Sequence, residues 1–306
     1  MKIHVNVPAT TANLGPGFDA LGLALDLWNE ATFESNPPGE TGFRVTIEGE
    51  GADTLPHNEE NSIAQAALQI FARAGKTCEG FHLYCLNRIP LGSGLGSSSA
   101  ALLAGMLGAN TLLGNPFSNE EILTFAIEAE GHPDNVAPAM LGGLVASVVN
   151  EGRAVSVRLT RYENSQPFFM TVVLPNFDFP TKQARAILPK QVERTDAIYN
   201  ISRAVLVTEA LRRGDLDLLG VAMQDRLHQP YRLPLIPGAQ TALEAARSAG
   251  AAAVALSGAG PSLIAFSERR DPQIGAAMAR AFQSAGLLSR IFQLSPSYEG
   301  AEVGIV

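Results

Sequence analysis

Cysteines are scarce in this sequence, and long apolar runs are missing from it. Cys78 and Cys85 are the two cysteines among 306 residues, which is too few for a disulfide scaffold, and their spacing matches no common metal site. The apolar stretches fall short of the ~18 residues that a membrane span requires, and the first ten residues alternate like a strand rather than a signal peptide. These absences predict reduced structural thiols, a cytoplasmic location and no membrane partner.

Clusters of basic residues are missing as well. Lys and Arg number 22 against 30 Asp and Glu, so the net charge is −8. Binding to nucleic acid or to an anionic membrane needs a basic footprint, and its absence argues against both partners. An anionic ligand must therefore be held by local chemistry, such as backbone N–H groups, a helix dipole, a metal ion or a few placed arginines.

What the chain does contain is the composition of a globular protein, with 46% hydrophobic residues. Its length favours two domains. Strands and helices alternate as far as "RLTRYENSQP", after which the pattern restarts, so we place a domain boundary between residues 165 and 166. We expect a mixed α/β domain over 1–165 and a small α+β sandwich over 166–306, with "SRIFQLSP" as its last strand.

A glycine-rich loop, "PLGSGLGSSSA" at residues 90–100, joins a predicted strand to a predicted buried helix. It has no lysine after its glycines, and Ser97 stands where a dinucleotide fingerprint has its third glycine, so neither common phosphate signature applies. Gly92, Gly94 and Gly96 suit positive φ or a close approach, and the free N–H groups at the helix start suit a phosphate. The alternative interpretation is a serine-capped buried helix after a flexible turn.

Three motifs in order along the chain resemble those of the GHMP kinases. "PLGSGLGSSSA" is similar to the ATP-phosphate loop of that family, "VPATTANLGPGFDALGLAL" to its N-terminal motif and "LSGAGPSLIAF" to its C-terminal glycine motif. Within the family, "PATTANLGPGFD" and "EGHPDNVAPAMLGG" resemble the homoserine kinases. The resemblance implies a two-domain α+β GHMP kinase fold with a ferredoxin-like C-terminal sandwich. It also implies that ATP phosphorylates the side-chain hydroxyl of L-homoserine, a step of threonine biosynthesis, in the cleft between the domains.

The resemblance further implies which residues contact ATP and Mg²⁺. It places Mg²⁺ on Ser98 and Glu128, which are hard oxygen ligands suited to this ion. Glu130 is a rival ligand, because Glu128 taken alone belongs to a solvated helix face with Glu121 and Thr124. The residues expected to contact the nucleotide are Asn61, Pro90, Leu91, Gly92, Ser93, Gly94, Leu95, Gly96, Ser97, Ser98, Ser99, Ser257, Gly258 and Gly260.

A second set of residues is expected to hold the amino acid. Asp19 suits the ammonium group, and Arg185 and Arg232 suit the carboxylate because arginine offers a bidentate fork. Alternatives are a structural Asx turn at Asn13, a structural role for His132 and ordinary surface arginines. The full set of expected substrate-binding residues is Asn13, Asp19, His132, Asn135, Thr181, Arg185 and Arg232.

The catalytic candidates are Asn135 and Asp134. Mevalonate kinase-like relatives carry a catalytic aspartate where this sequence presents Asn135, which cannot accept a proton at neutral pH. A loose transition state needs little deprotonation of the hydroxyl, so positioning and electrostatics could suffice. Asp134 remains the alternative, as a general base.

Two other functions remain open at this stage. One is a mevalonate-type GHMP kinase, which would need an acid in place of Asn135 and no ammonium site. The other is a non-catalytic ATP-binding sensor, against which the retained Ser98 and Glu128 argue. The oligomeric state cannot be read from the sequence, and a homodimer is among the open assemblies.

Overall fold

The computed structural model describes residues 2–37, 39–160 and 167–305. The domain boundary expected between residues 165 and 166 lies outside these described residues. Within them the strands are β1 (Lys2–Ala12), β2 (Leu21–Ser35), β3 (Arg44–Gly49), β4 (Phe81–Asn87), β5 (Leu144–Asn150), β6 (Arg153–Arg158), β7 (Phe169–Pro175), β8 (Ala253–Leu256), β9 (Leu263–Ser267), β10 (Ser289–Leu294) and β11 (Glu302–Ile305).

The described residues form ten α-helices, of which three are consecutive between β4 and β5 and five are consecutive between β7 and β8. A short 3₁₀ turn over Leu233–Leu235 follows the eighth of them. They are α1 (Ser62–Arg73), α2 (Ser97–Leu112), α3 (Asn119–Glu130), α4 (Pro133–Leu141), α5 (Thr181–Ala186), α6 (Arg194–Arg213), α7 (Leu216–Ala222), α8 (Gln229–Arg232), α9 (Ala239–Ser248) and α10 (Pro272–Ser284).

The first sheet has the strand order β11-β1-β2-β4-β3, and β5 and β6 extend it from β2. Alternate residues of β1 point into the core: Ile3, Val5 and Val7 are fully buried, as the alternating pattern predicts. Beyond them β1 continues to Ala12, so that Thr10 and Thr11 are also buried. The end of β1 therefore carries polar side chains into the interior, where they can serve a site.

The predicted buried helix is α2, which packs against β1 and α1. Its interior residues are small or apolar, and Leu103, Met106 and Ala109 are among those with almost no exposed surface. The predicted capping box is present in α3, where Ser118 and Glu121 exchange hydrogen bonds, and Gly131 ends the helix with a left-handed φ of 89°. These local signals were sufficient because they depend on residues within one turn of each other.

The second sheet has the antiparallel order β10-β7-β9-β8, with α9 and α10 packed against it. Numbered within this half of the chain, the order is 4-1-3-2, which is that of a ferredoxin-like sandwich and confirms the expected class. A tight turn at Ser257–Ser262 joins β8 to β9, closed by a hydrogen bond from the Ser257 N–H to the Ser262 carbonyl at 2.9 Å.

The C-terminal strand departs from the expectation. "SRIFQLSP" forms β10, but it is not the last strand, because β11 follows and pairs with β1 in the first sheet, Val303 opposite Val5. Val303 and Ile305 alternate in β11, but the strand has only four residues, which is too short a run for a periodic signal. Across the described residues, no helix combines the length and apolarity needed to span a membrane.

Candidate active site

The glycine-rich loop joins β4 to α2, as predicted, and it is pressed against two other segments. A Cβ on Gly94 would lie 2.3 Å from the Ser257 carbonyl oxygen, and one on Gly96 would lie 2.1 Å from the Thr10 Oγ1. Both glycines also have left-handed φ values, 78° and 72°. The loop is therefore glycine-rich because two pieces of chain approach it too closely for a side chain.

The start of α2 opens into a cavity of about 380 Å³. Gly96 precedes the helix and has no side chain with which to cap it, so the first N–H groups of α2 are free for a ligand. Fourteen of the predicted residues line this cavity: Asn13, Gly92, Ser93, Gly94, Gly96, Ser97, Ser98, His132, Asp134, Asn135, Thr181, Arg185, Arg232 and Gly258.

The other predicted residues lie around this cavity rather than in its described lining. Asn61 caps α1 and borders a second cavity of about 270 Å³, which Leu91, Gly92 and Ser98 also line. Loop and turn residues of this group hold the motifs together. In the loop, the Pro90 carbonyl accepts from the Ser93 hydroxyl, and the Leu95 carbonyl accepts from the Thr10 N–H. In the turn, the Ser257 hydroxyl donates to the Gly94 carbonyl at 2.8 Å, and the Gly260 N–H donates to the Ser257 carbonyl.

Two carboxylates near the end of α3 have different surroundings. Glu130 accepts hydrogen bonds from the hydroxyls of Ser98 and Ser99, each at 3.1 Å, and lines the cavity. Glu128 forms an ion pair with Arg73 at 2.8 Å, and its side chain is 48% exposed. Residues two apart on a helix point about 200° apart, so α3 cannot direct both toward the loop. The structure brings Glu130 to the loop serines, whereas Glu128, the ligand expected from the sequence, pairs with Arg73 instead.

His132 and Asp134 form a hydrogen-bonded pair at the start of α4. The His132 Nδ1–H donates to Asp134 Oδ1 at 2.7 Å, and Asp134 is almost completely buried. Burial lowers the pKa of His132, but the hydrogen bond and the charge of Asp134 outweigh it, and the pKa of His132 lies above its ordinary value. The pair therefore carries a buried carboxylate whose Oδ1 is occupied by the imidazole.

Asn135 is oriented by a threonine that the sequence analysis did not single out. Thr10 Oγ1 donates to Asn135 Oδ1 at 2.8 Å, across 125 positions of chain. Because the amide oxygen accepts this bond, the amide Nδ2 is the donor end. It lies 3.5 Å from Asp134 Oδ1, which leaves its second N–H for a ligand. Thr10 is fully buried, so the amide has a fixed orientation at the cavity wall.

Asn13 links the N-terminal motif to the C-terminal glycine motif. Its Nδ2 donates to the Gly258 carbonyl at 2.9 Å, and its Oδ1 accepts from the Asp19 N–H at 3.0 Å. Its φ is 69°, a left-handed value that asparagine tolerates better than most residues. Asn13 thus has a structural role, but not that of an Asx turn, because its Oδ1 accepts from the residue six positions on and not two; it also lines the cavity.

Asp19 and Arg185 are paired with each other. Arg185 donates from Nη1 and Nη2 to the two carboxylate oxygens of Asp19, at 2.9 and 2.7 Å. The side chains are 36% and 37% exposed. This hydrogen bonding is the first cause of the raised pKa of Arg185. The two groups expected to bind opposite ends of an amino acid therefore neutralise each other in the structure.

Arg232 is the most buried cation of the site, with 1% of its surface exposed. Its Nε donates to the Ala184 carbonyl at 2.9 Å, and Nη1 lies 3.2 Å from His228 Nδ1. Burial, with the nearby charge of Arg185, lowers the pKa of Arg232 to about 10. The guanidinium is still charged at neutral pH, so the cavity has a positive wall opposite the carboxylates of its other side.

The chain is similar to known proteins over nearly its whole length. The model of the GHMP kinase N-terminal domain matches residues 61–143, and that of the GHMP kinase C-terminal domain matches residues 207–284. The homoserine kinase of Moorella thermoacetica is 47% identical to the chain over 98% of the chain and 99% of that protein. The chain belongs to the homoserine kinases of the GHMP kinase family.

Solved structures extend the comparison. A crystal structure of homoserine kinase from Cytophaga hutchinsonii has a TM-score of 0.86 and 33% identity, covering 99% of the chain and 97% of that structure. A mevalonate kinase of L. major in complex with R-mevalonate has a TM-score of 0.71 at 17% identity, with 96% coverage of each, which shows the shared fold alone. The homoserine kinase family consists of ATP-dependent enzymes, so the chain is a kinase that uses ATP.

Sequence reasoning missed several residues that complete this homoserine kinase site. Thr10, Phe18 and His228 were not singled out, although the first two lie within the quoted N-terminal motif. His228 stands four positions before Arg232 in "HQPYR", which is the spacing of one helical turn. That spacing was the available signal, and it is weak because the helix formed there has only four residues.

Proposed function

We propose that the chain, acting in the cytoplasm, transfers the γ-phosphoryl group of ATP to the side-chain hydroxyl of L-homoserine. The products are O-phospho-L-homoserine and ADP, in a step of threonine biosynthesis. One observation carries the proposal: a single cavity joins an uncapped helix start beside a glycine loop to the arginines Arg185 and Arg232. Free cysteines at positions 78 and 85 agree with a reducing compartment.

The phosphate end of the cavity suits a triphosphate with a divalent ion. Ser98 Oγ and the Glu130 carboxylate supply hard oxygens at the helix start, and Mg²⁺ is usually held by one or two carboxylates together with substrate phosphates. Among the described residues, no cluster of three or more His, Cys, Asp or Glu forms a metal cage, and a site shared with phosphates needs none. Bound there, Mg²⁺ would neutralise charge on the β- and γ-phosphate oxygens. We therefore propose Glu130 rather than Glu128 as its carboxylate ligand.

The acceptor end suits a zwitterion. The Asp19–Arg185 pair presents one negative and one positive group that already satisfy each other. A ligand with an ammonium and a carboxylate can exchange partners with this pair without leaving a charge unpaired, with Arg232 as a second partner for the carboxylate. Mevalonate has a carboxylate and no ammonium, so it would leave Asp19 without its partner. The ion pair thus favours an amino acid as the acceptor.

The transfer itself can proceed with positioning residues alone. The Asn135 amide, oriented by Thr10, donates to the acceptor oxygen and holds it in line with the γ-phosphorus. The bond from the γ-phosphorus to ADP breaks as the bond to the acceptor oxygen forms, and the hydroxyl proton passes to a phosphate oxygen. Asp134 already accepts a hydrogen bond from His132 at 2.7 Å, which supports an orienting role for this carboxylate rather than that of a base.

Removing the Asp134 carboxylate tests the base-free mechanism. In Asp134→Asn we expect single-turnover transfer to slow by less than about a hundredfold, because the proton passes to a phosphate oxygen and not to Asp134; loss of a general base would cost roughly 10²–10⁴-fold. Single-turnover measurement separates the chemical step from product release. A larger decrease, with an unchanged Kd for homoserine, would mean that Asp134 accepts the proton.

The reaction is tested by release of ADP with a panel of acceptors. L-Homoserine, threonine, serine, mevalonate and galactose are compared under the same conditions, together with homoserinol, which lacks the carboxylate. We expect homoserine to have by far the highest kcat/KM. Preference for mevalonate or galactose would identify another GHMP kinase activity, and ATP binding without turnover of any alcohol would identify a sensor.

A further inference from the structure

His228 lies between Arg232 and the N-terminal motif and makes no direct contribution to the cavity lining among the described residues. It is fully buried. Its Nδ1 is 3.2 Å from Arg232 Nη1, and its Nε2 is 2.8 Å from the Gly15 carbonyl oxygen. One imidazole therefore connects a proposed carboxylate-binding residue of the C-terminal half to the turn that carries Asp19.

The two contacts together determine the protonation of this imidazole. A guanidinium can only donate, so the Nδ1 facing Arg232 must be the unprotonated acceptor. A carbonyl oxygen can only accept, so the Nε2 facing Gly15 must carry the proton. The neutral Nε2–H tautomer alone satisfies both. Burial lowers the pKa of His228, which agrees with the neutral form, although the carboxylate of Asp225 acts in the opposite direction.

Ring contacts add to the orientation of Arg232. The imidazole of His228 stacks on Phe18, with ring centroids 5.2 Å apart and planes 28° apart. The guanidinium carbon of Arg232 lies 5.3 Å from the Phe18 centroid, and that of Arg185 lies 5.8 Å from it. The imidazole and both guanidinium groups therefore share one aromatic ring, that of Phe18, which immediately precedes Asp19 in the chain.

The backbone around His228 is fixed by hydrogen bonds to Asp225. The Asp225 carboxylate accepts from the N–H groups of His228 and Gln229, at 3.0 and 2.7 Å. It also accepts from Asn200 Nδ2 at 2.7 Å, which attaches the segment to α6. The imidazole thus has a fixed backbone, a fixed tautomer and two fixed partners, which is what a group needs in order to orient another side chain.

We propose that His228 is a positioning residue for amino-acid recognition: its Nδ1 acceptor orients the guanidinium of Arg232 toward the substrate carboxylate. The inference rests on the proposed function, in which Arg232 binds that carboxylate. In this proposal the effect on homoserine binding comes from Nδ1, whereas the hydrogen bond from Nε2–H to the Gly15 carbonyl stabilises the N-terminal turn.

Two amide substitutions separate these contacts, because the asparagine Oδ1 takes the place of Nδ1 and the glutamine Nε2 takes the place of the imidazole Nε2–H. We expect His228→Asn to keep the acceptor and a homoserine KM within about threefold of the parent value. We expect His228→Gln to raise the homoserine KM by about tenfold, as for loss of one hydrogen bond to a charged group, with the ATP KM and kcat nearly unchanged. Equal effects of both substitutions, or a larger effect of His228→Asn, would overturn the assignment.

Two controls accompany these variants. His82→Gln alters a histidine of β4 and is expected to leave both KM values at the parent level. Arg232→Leu separates failure of the inference from failure of the proposed function. If Arg232→Leu leaves the homoserine KM unchanged, the carboxylate site itself is wrong; if it raises that KM while His228→Gln does not, only the role of His228 is wrong.

A spectroscopic measurement on the unaltered protein keeps the inference testable if the variants do not fold. Among its five histidines, ¹⁵N-imidazole NMR is expected to show one in the neutral Nε2–H tautomer at neutral pH. Its Nδ1 resonance should shift when homoserine is added to the ATP-loaded enzyme and stay in place with homoserinol. The Nδ1–H tautomer or a protonated ring at His228, the one buried histidine among the five, or equal shifts with both ligands would contradict the proposal.

Discussion

The two ends of the active-site cavity are built in different ways. The phosphate end is one continuous stretch, residues 90–100, in which backbone groups of a loop and a helix start do most of the binding. The acceptor end is assembled from side chains far apart in sequence, such as Asp19 and Arg185, which are separated by 166 positions. Backbone-built sites are specified locally, whereas side-chain-built sites depend on how distant segments pack.

This difference predicts unequal sensitivity to substitution. Backbone N–H groups survive most side-chain changes, so at the phosphate end only a ligating oxygen or a closely packed glycine is critical. At the acceptor end the side chains are partners of one another, so the loss of one leaves another without its ion pair or hydrogen bond, and Arg232 is the charged group there with the least exposure, at 1%. The strongest test of the comparison therefore removes a buried charge from the acceptor end.

Arg232→Leu is expected to have the largest effect. It removes a fully buried cation, and we expect homoserine binding to weaken by roughly 2–5 kcal/mol. This corresponds to a rise of about thirtyfold or more in the homoserine KM, while the ATP KM hardly changes. Arg185→Leu should have a smaller effect because Arg185 is 37% exposed. Lysine at position 232 should restore binding only in part, since a point charge lacks the planar fork. Steady-state kinetics with both substrates measure this, and equal increases in the two KM values would erase the distinction between the ends.

Glu130→Gln and Glu128→Gln form the next pair, at the phosphate end. If Glu130 helps to hold Mg²⁺, Glu130→Gln should lower kcat/KM for MgATP by about a hundredfold and raise the Mg²⁺ concentration needed for half-maximal activity. Glu128→Gln loses an exposed ion pair with Arg73, so its activity should stay near the parent level. Magnesium titrations of both variants provide the measurement. The reverse order of effects would return the metal to Glu128.

Thr10→Val probes the boundary between the two ends. It removes the donor that orients Asn135 and should lower kcat by about tenfold, with both KM values nearly constant. Thr11→Val is the matched control, because Thr11 is equally buried but contacts the Ser257 hydroxyl at 2.9 Å instead. If Thr10→Val raises the ATP KM instead of lowering kcat, Thr10 acts through the glycine loop at Gly96 and belongs to the phosphate end.

Ser118→Ala should have the smallest effect and touches neither end. Loss of the α3 cap should lower the free energy of unfolding by about 1 kcal/mol, with kinetics unchanged. Hydrogen bonds from the Ser118 backbone and side chain lower the pKa of Glu121. A carboxylate whose pKa is lower in the folded than in the unfolded protein stabilises the fold at pH values above its unfolded-state pKa. This stabilisation is lost as the pH falls through the folded-state pKa. Denaturant unfolding at neutral and acidic pH should therefore show the difference between variant and parent becoming smaller in acid.

Local elements of the fold were predictable where the signal lies within a few residues. The capping box of α3, the alternation of β1 and the strand–loop–helix unit at residues 90–100 all meet that condition. The long strand β2 was not predicted although Leu21, Leu23 and Leu25 alternate, because Gly22 and Ala24 between them are small and buried as well, so the polar positions of a half-exposed strand are missing. β11 was not predicted because its four residues are too few to show a period.

The identity of the metal-ligand candidate shows where sequence reasoning stops. Glu128 and Glu130 belong to the same helix, and although the spacing of Glu128 from Glu121 and Thr124 suggests a solvated face for it, nothing local shows what Glu130 faces. Their choice depends on which face of α3 meets α2, which is decided by packing of Ile122, Ala126 and Ile127 into the core. A rotation of the helix by half a turn would exchange their surroundings.

By itself the sequence determined the two-sheet architecture, the phosphate loop and the family, because hydrophobic periodicity and glycine-rich motifs are written in neighbouring residues. Only the tertiary structure decided that Glu130 faces the loop serines, that Asp19 and Arg185 neutralise each other, and that His228 stands between Arg232 and Gly15. His228 and Arg232 are four positions apart, but the other contacts join residues more than thirty positions apart, and more than 160 apart for Asp19 with Arg185 and for His228 with Gly15. They follow from the packing of helices and sheets as whole bodies, to which every buried residue contributes, and no short segment encodes them.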